Sequence, residues 1–577
     1  MTITAEVSKT NVRKRQRTKV KADPVTLILV AIVCIFLFFL VGLPLLKVLS
    51  TALSADGMDA LGKMFTSKSN LVIIMNTLVL GLTVASVGTI VGFLMAFVQV
   101  KVRCRGKKVM HLLSLLPIVS PPFAVATASI TLFGSRGIIS HQLLGQNWHI
   151  YGLPGLTLVL SLSFFPVAYQ NLAGMLRSLD PATEEASASL GGNAWTVFRT
   201  VTFPMLIPGF GASFLLLFVE GIADLANPLV IGGDFTVLAL RAYIAVNGEY
   251  NTAAGAAFSL LLLVPALLVF IVQRYWSNRN STVTVTGKPT GKPKMLENRP
   301  VSIILATWAW LVCGLIIVIY SSVIIGAFVN ILGVDNTFTL DNFAYILSGI
   351  GNEAMVDTTI LALIATPIAG ILGMLLAWLV VVKLRRGAAI LDFIGMLGMA
   401  VPGTVIGIGY LITYNQPVTF LGWNFTPALA GGGSIFGGAL AIILVYIARS
   451  TPAGQRSGIA ALQQVDKAID EASTSLGASG LQTFTRTTLP IIRPAYLTGL
   501  TYAFARSMTT LSPIIFITTP TTKIMTSQIL AEVDAGRFGN AFAFCTILIV
   551  IVMAVIGGIN LILRDKAPVQ RQVGGGL

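Results

Sequence analysis

The chain has 577 residues, 55% of them hydrophobic and 11% charged, with a formal net charge of +16 and a mean hydropathy of +0.84. A soluble protein of this length needs far more charge to cover its surface, so the composition excludes a soluble enzyme and points to a polytopic protein of the lipid bilayer. The four cysteines stand far apart at 34, 104, 313 and 545, and the three histidines at 111, 141 and 149, which supports neither a disulfide framework nor a metal cluster.

Residues 1–24 form a basic tail. Its run TNVRKRQRTKVK has no interleaved aromatics and leads straight into an apolar stretch, so it reads as a membrane-topology signal, with no nucleic-acid partner. The stretch VTLILVAIVCIFLFFLVGLPLL (25–46) is long enough to cross a bilayer. It is too long for a cleaved signal peptide, and no A-x-A-like site follows closely. Further apolar runs near 71–99, 111–133, 154–176, 205–231 and 253–273 complete a first half over 25–276. The polar, Gly/Pro/Thr-rich stretch 277–300 reads as a linker. A second half, 301–564, holds runs near 302–328, 356–382, 390–413, 436–448, 494–517 and 540–563, the tenth running on past 448, before a tail at 565–577. The expected fold is an all-α polytopic membrane protein with about twelve transmembrane helices.

An even number of spans puts both termini on one side. If that side is the cytoplasm, its segments hold 31 of the 39 Lys and Arg residues, the opposite loops hold seven, and Arg506 falls within a span. This is the bias that orients membrane proteins with their basic loops inside. Among the outside acids, Asp56, Asp59, Asp335 and Asp341 read as solvated.

The halves are copies. EEASASLGGNAWTVFRTVTFPMLIPG (184–209) returns 286 residues later as DEASTSLGASGLQTFTRTTLPIIRPA (470–495), with ten of 26 positions identical. Six spans return each half to the same side, so the duplication is parallel. Both copies fall between the fourth and fifth span of their half, on the cytoplasmic side. Each reads as a short helix: Asp180 as cap, Pro181 at the first position and Gly191–Gly192 as stop in the first copy, Asp466 to Gly477 in the second. Asn193 and Ser479 then cap a following helix that enters the membrane. Small residues around a glutamate make a helix that can sit closely in a groove of another protein.

These segments resemble the cytoplasmic signature of permeases of binding-protein-dependent ABC importers with the type I fold, E-A-A-x3-G followed by an apolar run and L-P. The chain reads Glu185-Ala186-Ser187-x3-Gly191 and Glu471-Ala472-Ser473-x3-Gly477, with Ser for the second Ala. Leu489-Pro490 matches the L-P, and Phe203-Pro204 departs from it. The resemblance implies that both segments are coupling helices docking on ATPase subunits, with Glu185, Ala186, Gly191, Glu471, Ala472 and Gly477 carrying the contact. No G-x-x-x-x-G-K-[ST] occurs, since GKPTGKPK has neither the spacing nor the hydroxyl residue. ATP-Mg would therefore bind two copies of a separate ABC ATPase, and an extracytoplasmic binding protein would deliver the solute. The implied location is the bacterial inner membrane, with both termini cytoplasmic. No tightly bound cofactor is expected, and the lack of an H-E-x-x-H motif or a Ser/His/Asp set argues against chemistry on the substrate.

Charges within a span tend to mark a path or a pair. Glu220 and Asp224 lie in the fifth span and Arg506 in the eleventh, and 220 plus 286 is 506, so an acid and a base occupy equivalent positions. They are expected to face each other across the translocation path. Asn227, Thr510 and Ser512 join them, and Pro228 and Pro513 are expected to break the two spans there. The passages ADLANPLVIGGDF and SPIIFITTP look like those of fused ferric-iron permeases, and oxygen ligands suit hard Fe³⁺ as the substrate. Related permeases for 2-aminoethylphosphonate, thiamine, sulfate and polyamines share the architecture. A stand-alone secondary transporter or channel is the rival of another class, opposed by the two matching segments.

Overall fold

The structure is a computed structural model and describes residues 24–279, 295–384, 386–420, 423–465, 467–478 and 480–564. Almost all of it is helical, apart from two short antiparallel hairpins, Val329–Ile331 with Asp335–Phe338 and Val418–Phe420 with Trp423–Thr426.

Among the described residues, ten helices are long and apolar enough to cross a membrane, or eleven if one bent pair counts as a span. All twelve expected segments are helical, but the count falls to ten or eleven because the ninth and the eleventh are not single long crossings, and the third, though counted, is broken. The ninth is two helices, Ala388–Ala400 and Gly403–Tyr414, set at 96° around Val401-Pro402. The third is broken at the equivalent place, with Ser120 and Pro121 extended between Lys107–Val119 and Pro122–Phe133. Proline lacks the N–H that would continue the ladder and pushes its predecessor out of helical geometry. The eleventh, Arg493–Thr509, has 17 residues, at the short end of what a crossing takes.

Each half is organised around its second, fourth and fifth spans. Small residues let the second and fourth approach closely. A Cβ on Gly92 would lie 2.7 Å from the Ala168 Cβ and 2.9 Å from the Phe165 carbonyl oxygen. Gly373 repeats the arrangement in the second half, where a Cβ would meet the Gln455 nitrogen at 2.7 Å. Each half lends its first span to the other. Tyr410 and Tyr414 donate from the ninth segment to the carbonyls of Leu40 (2.7 Å) and Phe39 (2.5 Å) in the first span, Thr26–Ala52. Conversely, Tyr320 of the seventh span, Arg299–Ala327, meets Ser120 at 2.5 Å. The halves are thus cross-braced at their broken segments.

Candidate functional site

The fifth span leaves helical geometry at Asp224 (φ −72°, ψ 130°) and the eleventh at Thr510 (φ −73°, ψ 122°), again 286 residues apart. The prolines cause the breaks from a distance. Pro228 and Pro513 lack N–H groups for the carbonyls of residues 224 and 509, and their rings crowd those carbonyls. After the first break, Asp224 Oδ2 accepts from both the backbone and side-chain N–H of Asn227, each at 2.9 Å, and so starts the short helix Ala226–Ile231.

All six residues expected on the path line one cavity of about 150 Å³ between the halves: Glu220, Asp224 and Asn227 from one side, Arg506, Thr510 and Ser512 from the other. Arg506 Nη2 lies 3.7 Å from Glu220 Oε1. That is an ion pair beyond hydrogen-bond range, with both side chains partly exposed. Asn227 is fully buried and its Oδ1 has no partner.

One charged residue of this cavity escaped the sequence reading. Arg449 lies in the tenth span, which continues as a helix over Ala439–Leu462, well past the end of its apolar run. Its Nη1 donates to the carbonyls of Gly398 (3.1 Å) and Val401 (2.9 Å), the groups freed at the bend of the ninth segment, while its Nε is buried without a partner. The signal available in the sequence was the internal repeat, because 449 minus 286 is 163 and Ser163 lines the same cavity. Among the described residues, no group of three or more His, Cys, Asp or Glu side chains is placed to hold a metal ion.

The repeated segments form matching helices, Pro181–Ser189 and Lys467–Ser475. Asp180 caps the first through the Ala182 N–H (3.1 Å), and Asn193 caps the next helix through the Thr196 N–H (2.8 Å). The expected caps Asp466 and Ser479 lie outside the described residues. Both helices end the same way. Gly191 and Gly477 take φ of +87° and +85°, and the next residue reaches back, Gly192 N–H to the Ser187 carbonyl and Ala478 N–H to the Ser473 carbonyl. Each glycine follows a nearly bare leucine, Leu190 at 90% exposure and Leu476 at 89%. Glu185 and Ala186 are exposed, as is Ala472.

The neighbouring Glu184 behaves differently. It is buried, accepting from Lys101 Nζ at 2.6 and 2.9 Å and from Thr202 Oγ1 at 2.8 Å, with only 6% of either charged side chain exposed. Lys101 ends the second span, Lys68–Lys101, and Thr202 lies in the wide turn leading into the fifth. The Lys101 carbonyl in turn accepts from the Leu296 N–H at 2.7 Å, so the end of the inter-half connection rests on the same point. Sequence reading favoured Glu185 and passed over this pair, since two adjacent acids look alike until a lysine 83 residues away selects one of them.

The sequence pattern described as "Binding-protein-dependent transport system inner membrane component" matches the chain twice, over residues 88–282 and 369–566. The ferric transport system permease protein FbpB of Actinobacillus pleuropneumoniae is 36% identical over 497 residues, covering 84% of this chain and 70% of that protein. A protein of Haemophilus influenzae described as ferric transport system permease protein FbpB 1 is 33% identical over 516 residues, covering 86% of this chain and 79% of its own length.

Proposed function

Because this chain belongs to the family of binding-protein-dependent transport system inner membrane components, in a fused form with both halves in one polypeptide, we propose that it is the membrane subunit of an ATP-driven importer carrying ferric iron into the bacterial cytoplasm. Membership makes it a multi-pass ABC importer permease, and its relatives named as ferric transport permeases support iron as cargo. The observation that carries the transport reading is the convergence of Glu220, Asp224, Asn227, Arg506, Thr510 and Ser512 on one cavity between the halves. Broken helices beside polar side chains are tolerated in a bilayer where they line such a space.

Energy comes from outside the chain, because its sequence holds no phosphate-binding loop. Two ATPase copies would grip the exposed faces of the Pro181–Ser189 and Lys467–Ser475 helices. Glu185, Ala186 and Gly191, with Glu471, Ala472 and Gly477, would form the contact, and the bare Leu190 and Leu476 would be its apolar anchors. The basic bias supports a cytoplasmic location for these helices and both termini. The binding protein would dock on the opposite face. The halves, cross-braced by their first spans, would rock to open the cavity to each side in turn.

The test is ATPase activity in proteoliposomes holding this chain and its neighbouring ATPase, with the binding protein added. Stimulation by the iron-loaded protein, lost in Glu185→Arg plus Glu471→Arg, is expected. Stimulation by a 2-aminoethylphosphonate-loaded protein instead keeps the machine and replaces the cargo. Solute movement by the chain alone, with no ATPase associated, overturns the reading.

A further inference from the structure

The two seams between the halves differ on their cytoplasmic side. The offset of 286 pairs Gln170 with Arg456 and Leu216 with Tyr502. In one seam the Tyr502 hydroxyl donates to Gln170 Oε1 across 3.0 Å and ties the halves together. In the other the same two places hold Leu216 and Arg456, and leucine offers a guanidinium no acceptor. A second cavity, of about 440 Å³, stays open there, lined by both residues with Arg274, Asp392, Phe270 and Met396. It lies toward the cytoplasm from the first: Leu216 stands one turn before Glu220 on the fifth span, and Arg456 two turns after Arg449 on the tenth. Its charges do not balance. Asp392 is already held by Arg274 Nη2 at 2.5 Å and Gln455 Nε2 at 2.7 Å. Arg456 is exposed and, among the described residues, makes no hydrogen bond or ion pair. One guanidinium in this cavity is spare.

We propose that this cavity seats the headgroup of an anionic phospholipid of the cytoplasmic leaflet, with Arg456 taking its phosphate. Arg274 and Asp392 stand near the cytoplasmic ends of Thr252–Arg279 and Ala388–Ala400, the level at which headgroups lie. Beside them Ile271, Tyr275 and Ile390 are bare, so the helices that wall the cavity turn apolar surface outward, as lipid contact requires. Basic pockets between membrane helices on this side are where acidic headgroups bind. The guanidinium fork matches phosphate oxygens, and Phe270 and Met396 offer an apolar wall to the chain below. The charge set belongs to one seam alone. Gly106 and Gly387 open equivalent helices, and 387 minus 106 is 281, so Asp392 answers to His111, while Arg274 answers to Asn560 and Arg456 to Gln170. The leaflet follows from the basic bias of the loops, and the proposal does not depend on the cargo.

The experiment titrates the detergent-purified full chain with fluorescent phosphatidylglycerol, using unlabelled phosphatidylcholine and inorganic phosphate as competitors. Phosphatidylglycerol should bind about fivefold tighter than phosphatidylcholine or better, the factor one arginine contributes at an anionic surface. Arg456→Gln, which installs the residue that the repeat already carries at Gln170, should remove the preference. Arg456→Lys should keep most of it, and Arg199→Gln, exposed on the same side of the membrane, all of it. Equal binding of the two lipids by the wild type, or a preference that survives Arg456→Gln, overturns the proposal. Displacement of the lipid by an equal concentration of phosphate makes the cavity a site for free anions and overturns it as well. No ATPase, binding protein or iron enters the measurement, so each of these results leaves the importer reading standing.

Discussion

Removing one partner of the Lys101–Glu184 pair should release the Pro181–Ser189 helix from the transmembrane core. The pair is buried on both sides, with 6% of each side chain exposed, and Thr202 occupies one of the carboxylate oxygens. Breaking a buried pair on one side costs about 3–5 kcal/mol, because the other charge is left uncompensated. At about 1.4 kcal/mol per factor of ten, that is roughly a hundredfold or more in the equilibrium between docked and undocked helix. Hydrogen exchange at the amides of Pro181–Ser189 in the purified transporter reads this equilibrium directly. Lys101→Met and Glu184→Gln should each lose protection by that order, and transport should fall with it. The double replacement Lys101→Met with Glu184→Leu should recover much of the loss, since well-packed apolar groups often match a buried pair. Glu185→Gln, on the exposed neighbour, should leave protection unchanged. If Lys101→Met and Glu184→Gln leave protection as Glu185→Gln does, the pair does not hold the helix.

Reversing Glu220→Arg or Arg506→Glu alone should abolish transport, and combining them should restore part of it, as the 3.7 Å approach requires; a dead double variant speaks against direct pairing. At Gly191 and Gly477 nothing lies within 4 Å of an added Cβ, so alanine meets backbone strain alone. Each substitution should cost about 1–2 kcal/mol, and asparagine, which enters the left-handed region more readily, should cost less; melting of the purified complex checks both. Outside the spans, burial pushes the Glu532 carboxyl up, yet hydrogen bonds from Arg537, Asn540 and Tyr345 hold it below its ordinary range. A depressed carboxyl stabilises the fold above its unfolded value, and that stabilisation fades as pH falls through the folded value. The melting difference between wild type and Glu532→Gln should therefore be present at neutral pH and close on acidification. A difference that widens in acid contradicts the assignment.

Much of this architecture was legible because the duplication supplies its own ruler. The offset of 286 placed Glu220 opposite Arg506 and the two repeated segments in register, without any knowledge of packing. What stayed hidden depends on distant partners. The tenth span runs on past 448 as expected, but hydropathy could not show that carbonyls freed at a bend some 50 residues earlier receive the Arg449 guanidinium. An apolar stretch of the right length also cannot say whether it crosses or folds back, and Val401-Pro402 turns the ninth segment through 96° inside one such stretch. The same limit applies to Glu184, whose burial is decided by Lys101 and Thr202 rather than by its own neighbours.

The exchange of first spans has a consequence for how this protein is made. The carbonyls of Leu40 and Phe39 wait for hydroxyls on Tyr410 and Tyr414, which are 370 and 375 residues downstream. At synthesis rates of about 5–20 residues per second, the first helix is in the bilayer for roughly 20–75 s before its partner emerges. During that interval it can pack on the sixth span of its own half, while the face meant for the ninth segment is left to lipid, which a helix of such high hydropathy withstands. The N-terminal half is therefore an unfinished body when it leaves the ribosome, completed only by the chain's last third. Cutting the gene at the linker would turn one intramolecular closure into two encounters that must happen by diffusion in the membrane.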